Sequence, residues 1–311
     1  MKLLTIGKFI YLFFILLFLG VTQCRGQGPL SEGDKDECIK NFPQDIKPYV
    51  RSLFERVKKD LKEKIPESYL CELFSQKKIF YKPEVMLRSL TWSEVKLPYY
   101  QFLEENRILR AKIFLEENKD FLLQLEEKFG VDKEVIVAIF LVETDLGRKT
   151  GDHLVFNTFF SLALSGEEPL FRSYIENDSE VDLNNETIRN RWKRRADWAY
   201  RELLYFIEIS YSNNWDPLSI KGSIFGAFGY PQFVPKSYVK YGYDWDGDGK
   251  VDLYSLPDAL ASIANYLKEE GYKLNATREY KKRIIMKYNI SEPYAETILK
   301  IAELLQERKM P

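Results

Sequence analysis

Glu143 stands where a carboxylic acid can do chemistry. It lies near the end of an apolar run, Val131 to Thr144, in which Ile136, Ile139, Phe140 and Glu143 follow helical spacing. A carboxylate that continues an apolar stripe is costly to bury unpaired, and one response is a raised pKa that keeps it protonated near neutral pH. A protonated glutamate beside a cleft is what general-acid cleavage of a glycosidic bond requires. The competing reading is a helix-end glutamate that bends back to solvent. The residue inventory bears on the choice, because His153 is the only histidine. Ser-His-Asp and Cys-His catalysis are excluded unless His153 supplies the base, and a histidine-rich zinc site is disfavoured. Carboxylates remain as the proton-transfer groups. Asp145, two positions on, points about 200° away from Glu143 on a helix and makes a poor partner for it.

A second segment carries ligand chemistry. Asp244, Asp246 and Asp248 alternate, Gly249 takes the sixth position and Lys250 the seventh, where a backbone carbonyl serves. This is the first half of an EF-hand loop, in which hard oxygen ligands surround calcium. The pattern then departs, because Ser255 occupies the twelfth position in place of a bidentate glutamate. Asp258 closes the shell if the loop is longer. The expected site therefore spans 244–258, with Asp244, Asp246, Asp248, Lys250 and Asp258 as ligands and a structural role for Ca2+. An acidic turn without metal is the alternative, since Asp and Gly favour turns in any case.

These groups need a scaffold, and the pattern is mainly α. With 311 residues, 45% of them hydrophobic, the chain can bury one large domain or two smaller ones. A formal net charge of -1 gives no global field toward nucleic acid or an anionic membrane. Lys2 and Lys8 precede an apolar run, Phe9 to Val21, too short to span a bilayer comfortably. Residues 1–26 are read as a secretory signal peptide, with an uncleaved anchor as the alternative. Cys24 is a candidate for lipid attachment, although Gln23 before it is bulkier than the small residue that bacterial lipidation usually wants. Cleavage leaves Cys38 and Cys71, either a disulfide or two thiols.

Residues 27–45 read as a flexible lead-in within an N-terminal helical region, 27–100. The catalytic region is expected over 101–311. Helical stripes run from Val50 to Ile65 and from Ile108 to Phe129. The Glu143 helix has Asp132 at its N-cap and Gly147 just past its end. Residues 166–190 are acidic and Asn-rich and read as a loop. A helix follows from Arg191 to Tyr211, with its aromatic residues, Trp198 among them, assigned to the core. Residues 216–239 are a Gly- and Pro-rich loop, and Ala259–Leu267 and Tyr294–Leu305 are helices.

Taken in order, several motifs carry a joint signal: Val142-Glu143-Thr144 with Gly147-Arg148; Arg194-Arg195-Ala196; Asp216-Pro217-Leu218; the run Lys221 to Phe233; Ala264-Asn265-Tyr266; and Tyr288-Asn289. In these motifs the chain resembles the lytic murein transglycosylase B family of bacterial cell-wall enzymes. The resemblance implies a lysozyme-like core, here with an added N-terminal helical region and a reduced β portion. It implies cleavage of the MurNAc–GlcNAc β-1,4 bond of peptidoglycan with formation of 1,6-anhydroMurNAc. Glu143 would protonate the leaving oxygen and then act as base on the C6 hydroxyl of MurNAc. By the same match Ser223 and Gln232 would hydrogen-bond the substrate. Tyr266, Tyr288, Asn289 and Tyr294 would line sugar subsites, and Arg194 and Arg195 would contact the peptide or lactyl carboxylate. The plainer readings are core packing for the tyrosines and a solvated helix start for the arginines. The family's upstream tyrosine corresponds to Tyr99 or Tyr100.

The implied partners are peptidoglycan glycan strands and no nucleic acid. The chain is expected to be a monomer exported to the periplasm or cell envelope, meeting a membrane only if Cys24 is lipidated or the signal stays uncleaved. The alternatives are a lysozyme-type hydrolase and a non-catalytic, calcium-stabilised wall-binding protein. Two departures from the family stand out. The stretch between Gly147 and Arg194 is longer, and that between Tyr266 and Tyr288 is shorter. The second should remove a small β-domain that walls the cleft, leaving an open groove rebuilt in part by residues 152–190.

Overall fold

The computed structural model describes residues 36–92, 98–176 and 181–307. The signal peptide and Cys24 lie outside the described residues. The described chain is helical. It runs through α1 (Lys47–Leu61), α2 (Glu67–Phe74), α3 (Glu84–Thr91), a 3-10 turn (Tyr99–Leu103), α4 (Glu105–Glu117), α5 (Lys119–Phe129) and α6 (Lys133–Thr144). Next come β1 (His153–Leu154), α7 (Val155–Leu164), α8 (Glu168–Ile175), α9 (Glu186–Ser212) and β2 (Lys221–Gly222). The last elements are α10 (Pro235–Tyr241), α11 (Leu256–Glu269), α12 (Arg278–Tyr288) and α13 (Glu292–Gln306). The strands form one antiparallel pair, His153 opposite Gly222 and Leu154 opposite Lys221.

Two largely apolar helices organise the packing. Residues Glu134 to Leu141 of α6 are buried, and α13, α4, α11 and α5 pack around it. All of α7 is buried, with α9, α3 and α1 against it. A helix apolar on every side must sit inside, because each fully buried large side chain is worth about 1.5–3 kcal/mol. One hydrophobic cluster runs from Cys38 to Leu305. No helix among the described residues is long and apolar enough to cross a membrane.

Several expectations need correction. Residues 36–45 of the lead-in are packed, with Cys38 joined to Cys71 by a disulfide and Ile39 and Phe42 buried. The stretch from Ile108 to Phe129 is two helices, broken at Asn118, whose side chain donates to the Phe114 carbonyl at 2.8 Å. The segment 166–190 holds α8 and the first turn of α9, which starts at Glu186 because the Asn185 side chain accepts from Thr187 N and Ile188 N. Asp132 precedes α6 but caps nothing with its side chain, which takes Lys281 Nζ at 2.6 Å instead. The shortened stretch between Tyr266 and Tyr288 is as expected: the end of α11, a turn and α12, with no β wall.

Candidate active site

Glu143 sits in the last turn of α6, half-buried. The helix ends one residue later, where Asp145 and Leu146 take left-handed conformations at φ 53 and 59. Asp145 turns away and pairs with Arg110, and with Arg107 at 3.7 Å, both on α4. The Thr144 hydroxyl donates to the Tyr230 carbonyl at 3.4 Å and accepts from Gly147 N at 3.1 Å, tying the end of α6 to the Gly-rich loop. That loop depends on its glycines. A Cβ on Gly226 would lie 2.4 Å from the Phe159 ring, and one on Gly229 would lie 2.3 Å from Leu253, both at positive φ.

Glu143 opens onto a cleft of about 990 Å³. One side of the cleft is α9, with Arg195, Trp198 and Glu202; the floor comes from the loop around Ser223 and Gln232; the other side is the end of α12 and the turn after it. Ser223, Gln232, Tyr266, Tyr288 and Asn289 line the cleft with Glu143. Tyr294 does not. It is 1% exposed and lies behind Glu143, where its hydroxyl donates to Glu143 Oε1 at 2.7 Å. Burial first, and the Glu143 carboxylate second, push the Tyr294 and Tyr288 hydroxyls well above the usual tyrosine range, so both stay proton donors. Tyr99 is buried edge-on to Tyr294 at 6.2 Å, whereas Tyr100 is exposed, so of the two it is Tyr99 that packs behind the site.

Hydrogen-bond accounting shows what each side chain can still offer. The Tyr266 hydroxyl donates to the Lys287 carbonyl at 2.5 Å, and the Tyr288 hydroxyl donates to the Pro231 carbonyl at 2.6 Å. The rings of Tyr266 and Tyr288 meet at 4.7 Å. These two residues therefore offer ring surface, their donors being spent. The Gln232 amide donates to the carbonyls of Thr150 at 3.1 Å and Gly229 at 2.9 Å, leaving Oε1 as an acceptor. Ser223 Oγ accepts from Ala227 N at 3.1 Å, which keeps its own proton available to donate.

The arginine pair separates. Arg194 is exposed and is not among the cleft residues. Arg195 is half-buried, with its guanidinium 4.9 Å from the centre of the Trp198 ring and 6.0 Å from that of Phe225. Burial, and then Arg191, lowers its pKa from the usual arginine value. Trp198, expected in the core, lines the cleft. Glu202 was not anticipated. It is 2% exposed, its carboxylate accepts from Lys236 N at 2.8 Å, and burial raises its pKa. The described residues of 152–190 contribute nothing to the cleft lining, because α7 is committed to the core.

In the acidic loop, carboxylate oxygens of Asp244, Asp246 and Asp258 lie within 4.8 Å of one another. Asp258, on α11, is buried and accepts from Trp245 N at 2.9 Å and Asp252 N at 2.8 Å. Asp248 stands outside the trio and accepts from Lys250 N at 2.8 Å. Three hard oxygen donors converging on one point, one of them buried, are acidic groups that fit a divalent cation. A second acidic group, Glu126, Asp132 and Glu134, is instead occupied by Lys133 and Lys281.

The profile of the Transglycosylase SLT domain family matches residues 49–284. Membrane-bound lytic murein transglycosylase B of Escherichia coli is 30% identical over 172 residues, 55% of this chain. The match spans 40% of that relative's length. Among solved structures, E. coli lytic transglycosylase SLT35 in complex with calcium is similar at TM-score 0.66 and 21% identity, covering 83% of this chain and 92% of that one. SltB3 from Pseudomonas aeruginosa, in complex with NAG-anhNAM-pentapeptide, is similar at TM-score 0.67 and 20% identity, covering 85% of this chain and 80% of that one. At these identities the structural likeness establishes the fold, which is mainly helical as in those lytic transglycosylases.

Proposed function

Because the chain belongs to the Transglycosylase SLT domain family, we propose that it is a lytic transglycosylase cleaving the MurNAc–GlcNAc bond of peptidoglycan without water. One observation carries the mechanism. Among the described residues, Glu143 and Glu202 are the carboxylates lining the cleft, and Glu202 is buried with an oxygen committed to Lys236 N. A two-carboxylate hydrolase needs a second acid free to act as base or nucleophile, and Asp145 is bound by arginines on the far side of the helix end.

Glu143 gives its proton to the glycosidic oxygen as the C1–O4 bond breaks. The resulting carboxylate takes the proton of the MurNAc C6 hydroxyl as O6 closes on C1. One group thus acts as acid and then base, and the atoms balance without a water molecule. Tyr294 steadies Oε1 throughout, and proton exchange with substrate is assigned to Oε2. Ser223 donates to and Gln232 accepts from the sugars, with Asn289 beside them. Tyr266 and Tyr288 supply ring faces, and Arg195 meets a carboxylate of the lactyl-peptide substituent.

Asp244, Asp246 and Asp258 would hold a calcium ion that pins the loop to the start of α11, with Lys250 contributing its carbonyl and Asp248 only if the loop closes further. The reading places the mature chain in a bacterial cell envelope after removal of residues 1–26. Muropeptide product analysis of wild type and Glu143→Gln tests the function. Anhydro products that vanish in the variant support it, whereas reducing-end products from wild type overturn it.

A further inference from the structure

Ile290 is the most exposed large hydrophobic side chain among the described residues, at 89%, and it lines the active-site cleft. Lone exposed aliphatics are common on protein surfaces, so exposure alone decides nothing. What distinguishes Ile290 is a rigid mount. On one side, the Tyr288 hydroxyl is anchored to the Pro231 carbonyl at 2.6 Å. On the other, Ser291 N donates to the Asn289 carbonyl at 2.7 Å, and the Ser291 hydroxyl caps α13 by accepting from Tyr294 N at 3.3 Å. The turn that carries Ile290 is thus held by the same two tyrosines that border Glu143.

A branched aliphatic side chain cannot hydrogen-bond a sugar hydroxyl and offers no ring face to a pyranose. Its favourable contact is with apolar surface, of which a methyl group offers the most compact kind. On the α9 side of the same cleft, Arg195 holds a half-buried guanidinium over Trp198 and makes no ion pair among the described residues. An apolar knob on one side and a cation on the other complement a ligand that bears both methyl groups and carboxylates. In peptidoglycan this describes the lactyl group and the peptide stem that leave the glycan strand, more than the sugar rings that must reach Glu143.

We propose that Ile290 is a specificity residue that contacts the methyl-bearing peptide stem of the substrate. This rests on the peptidoglycan reading above. It is tested by binding, so that it can fail separately from the reaction. Co-sedimentation with insoluble sacculi compares Glu143→Gln with Glu143→Gln/Ile290→Asn and Glu143→Gln/Ile290→Leu, on stem-bearing material and on material stripped of stems by an amidase. Partial burial of one isoleucine predicts that the Asn variant binds stem-bearing strands about five-fold more weakly. The Leu variant should keep its affinity, and all three should bind stripped strands alike. Melting temperatures should agree, because Ile290 packs on nothing. Equal affinity of the Asn variant and its parent for stem-bearing strands overturns the proposal. So does an equal loss on both materials, which would place the contact on the glycan. If wild type yields no anhydro products, the reaction reading fails while the binding comparison still decides the role of Ile290.

Discussion

Replacing Tyr294 with phenylalanine should slow the chemistry while leaving binding and folding nearly untouched. The ring would remain, still edge-on to Tyr99 and still buried between α13 and α6. Only the hydroxyl that donates to Glu143 Oε1 would go. A hydrogen bond to a charged group is worth about 1.5–3 kcal/mol, a factor of roughly 10 to 150 in rate if it acts fully in the transition state. Glu143 is half-buried, so water can replace part of the donor, and the lower end, about ten-fold in kcat, is the expectation. KM should hold, because Tyr294 does not line the cleft. The assay is the rate of anhydro-muropeptide release, with thermal melting as the control for folding. A kcat within two-fold of wild type would refute the claim that the Tyr294 hydroxyl supports Glu143 in the reaction.

Other parts of the molecule yield sharper readouts in stability than in rate. Burial holds the Glu202 carboxyl above its ordinary value of 4.5, so its contribution is full below that pH and is lost as pH rises through the folded-state value. Glu202→Gln should lack this decline, so denaturant midpoints across pH should shift in its favour as pH rises, and parallel curves would count against it. Chelation, or Asp258→Asn, should lower the melting temperature by roughly 5 °C if calcium is present at about 100 times its Kd, and calorimetry with and without chelator would show it. The Cys38–Cys71 bond closes a separation of 33 residues, which in the chain-entropy account stabilises by about 3–4 kcal/mol. Denaturant titration of Cys38→Ala/Cys71→Ala should recover most of that loss, with turnover unchanged, since neither cysteine lines the cleft.

What the sequence revealed follows the range of the interaction concerned. The helix-end position of Glu143 and the acidic loop were legible because local spacing places a carboxylate at the end of an apolar helix and alternates three aspartates, although spacing did not by itself separate an acid catalyst from a helix-end glutamate. Gly226 and Gly229 were legible because close backbone approach leaves its mark in residue type. The approach of Asp258 to Asp244 and Asp246 was legible because it sits just beyond the loop. Tyr294 was read as a wall residue, since a local pattern does not say that α13 docks along α6 and turns that hydroxyl onto Glu143. Glu202 was hidden for a related reason. It falls on the buried stripe of α9 with Ala199, Leu203 and Phe206, where a charged residue argues against burial until Lys236 N arrives from a distant segment. The helix α12 escaped notice because its sequence is charge-rich and buries only Ile284 and Ile285.

The same long-range contacts decide how the cleft can recognise sugar. Two of its tyrosines donate to backbone carbonyls, so their hydroxyls fix the chain around the site and cannot also serve a substrate oxygen. The Ser223 proton, Gln232 Oε1 and the Asn289 amide, by contrast, keep hydrogen-bonding capacity in the cleft that Glu143 lines. Gln232 holds a left-handed backbone, at φ 52, in a position that few side chains tolerate, and its two amide donations keep it there. The strain and the orientation of Oε1 are therefore one arrangement. The glycines at 226 and 229 bring this loop close enough to the core to be held, and the held loop presents Gln232 Oε1 to the cleft that Glu143 lines.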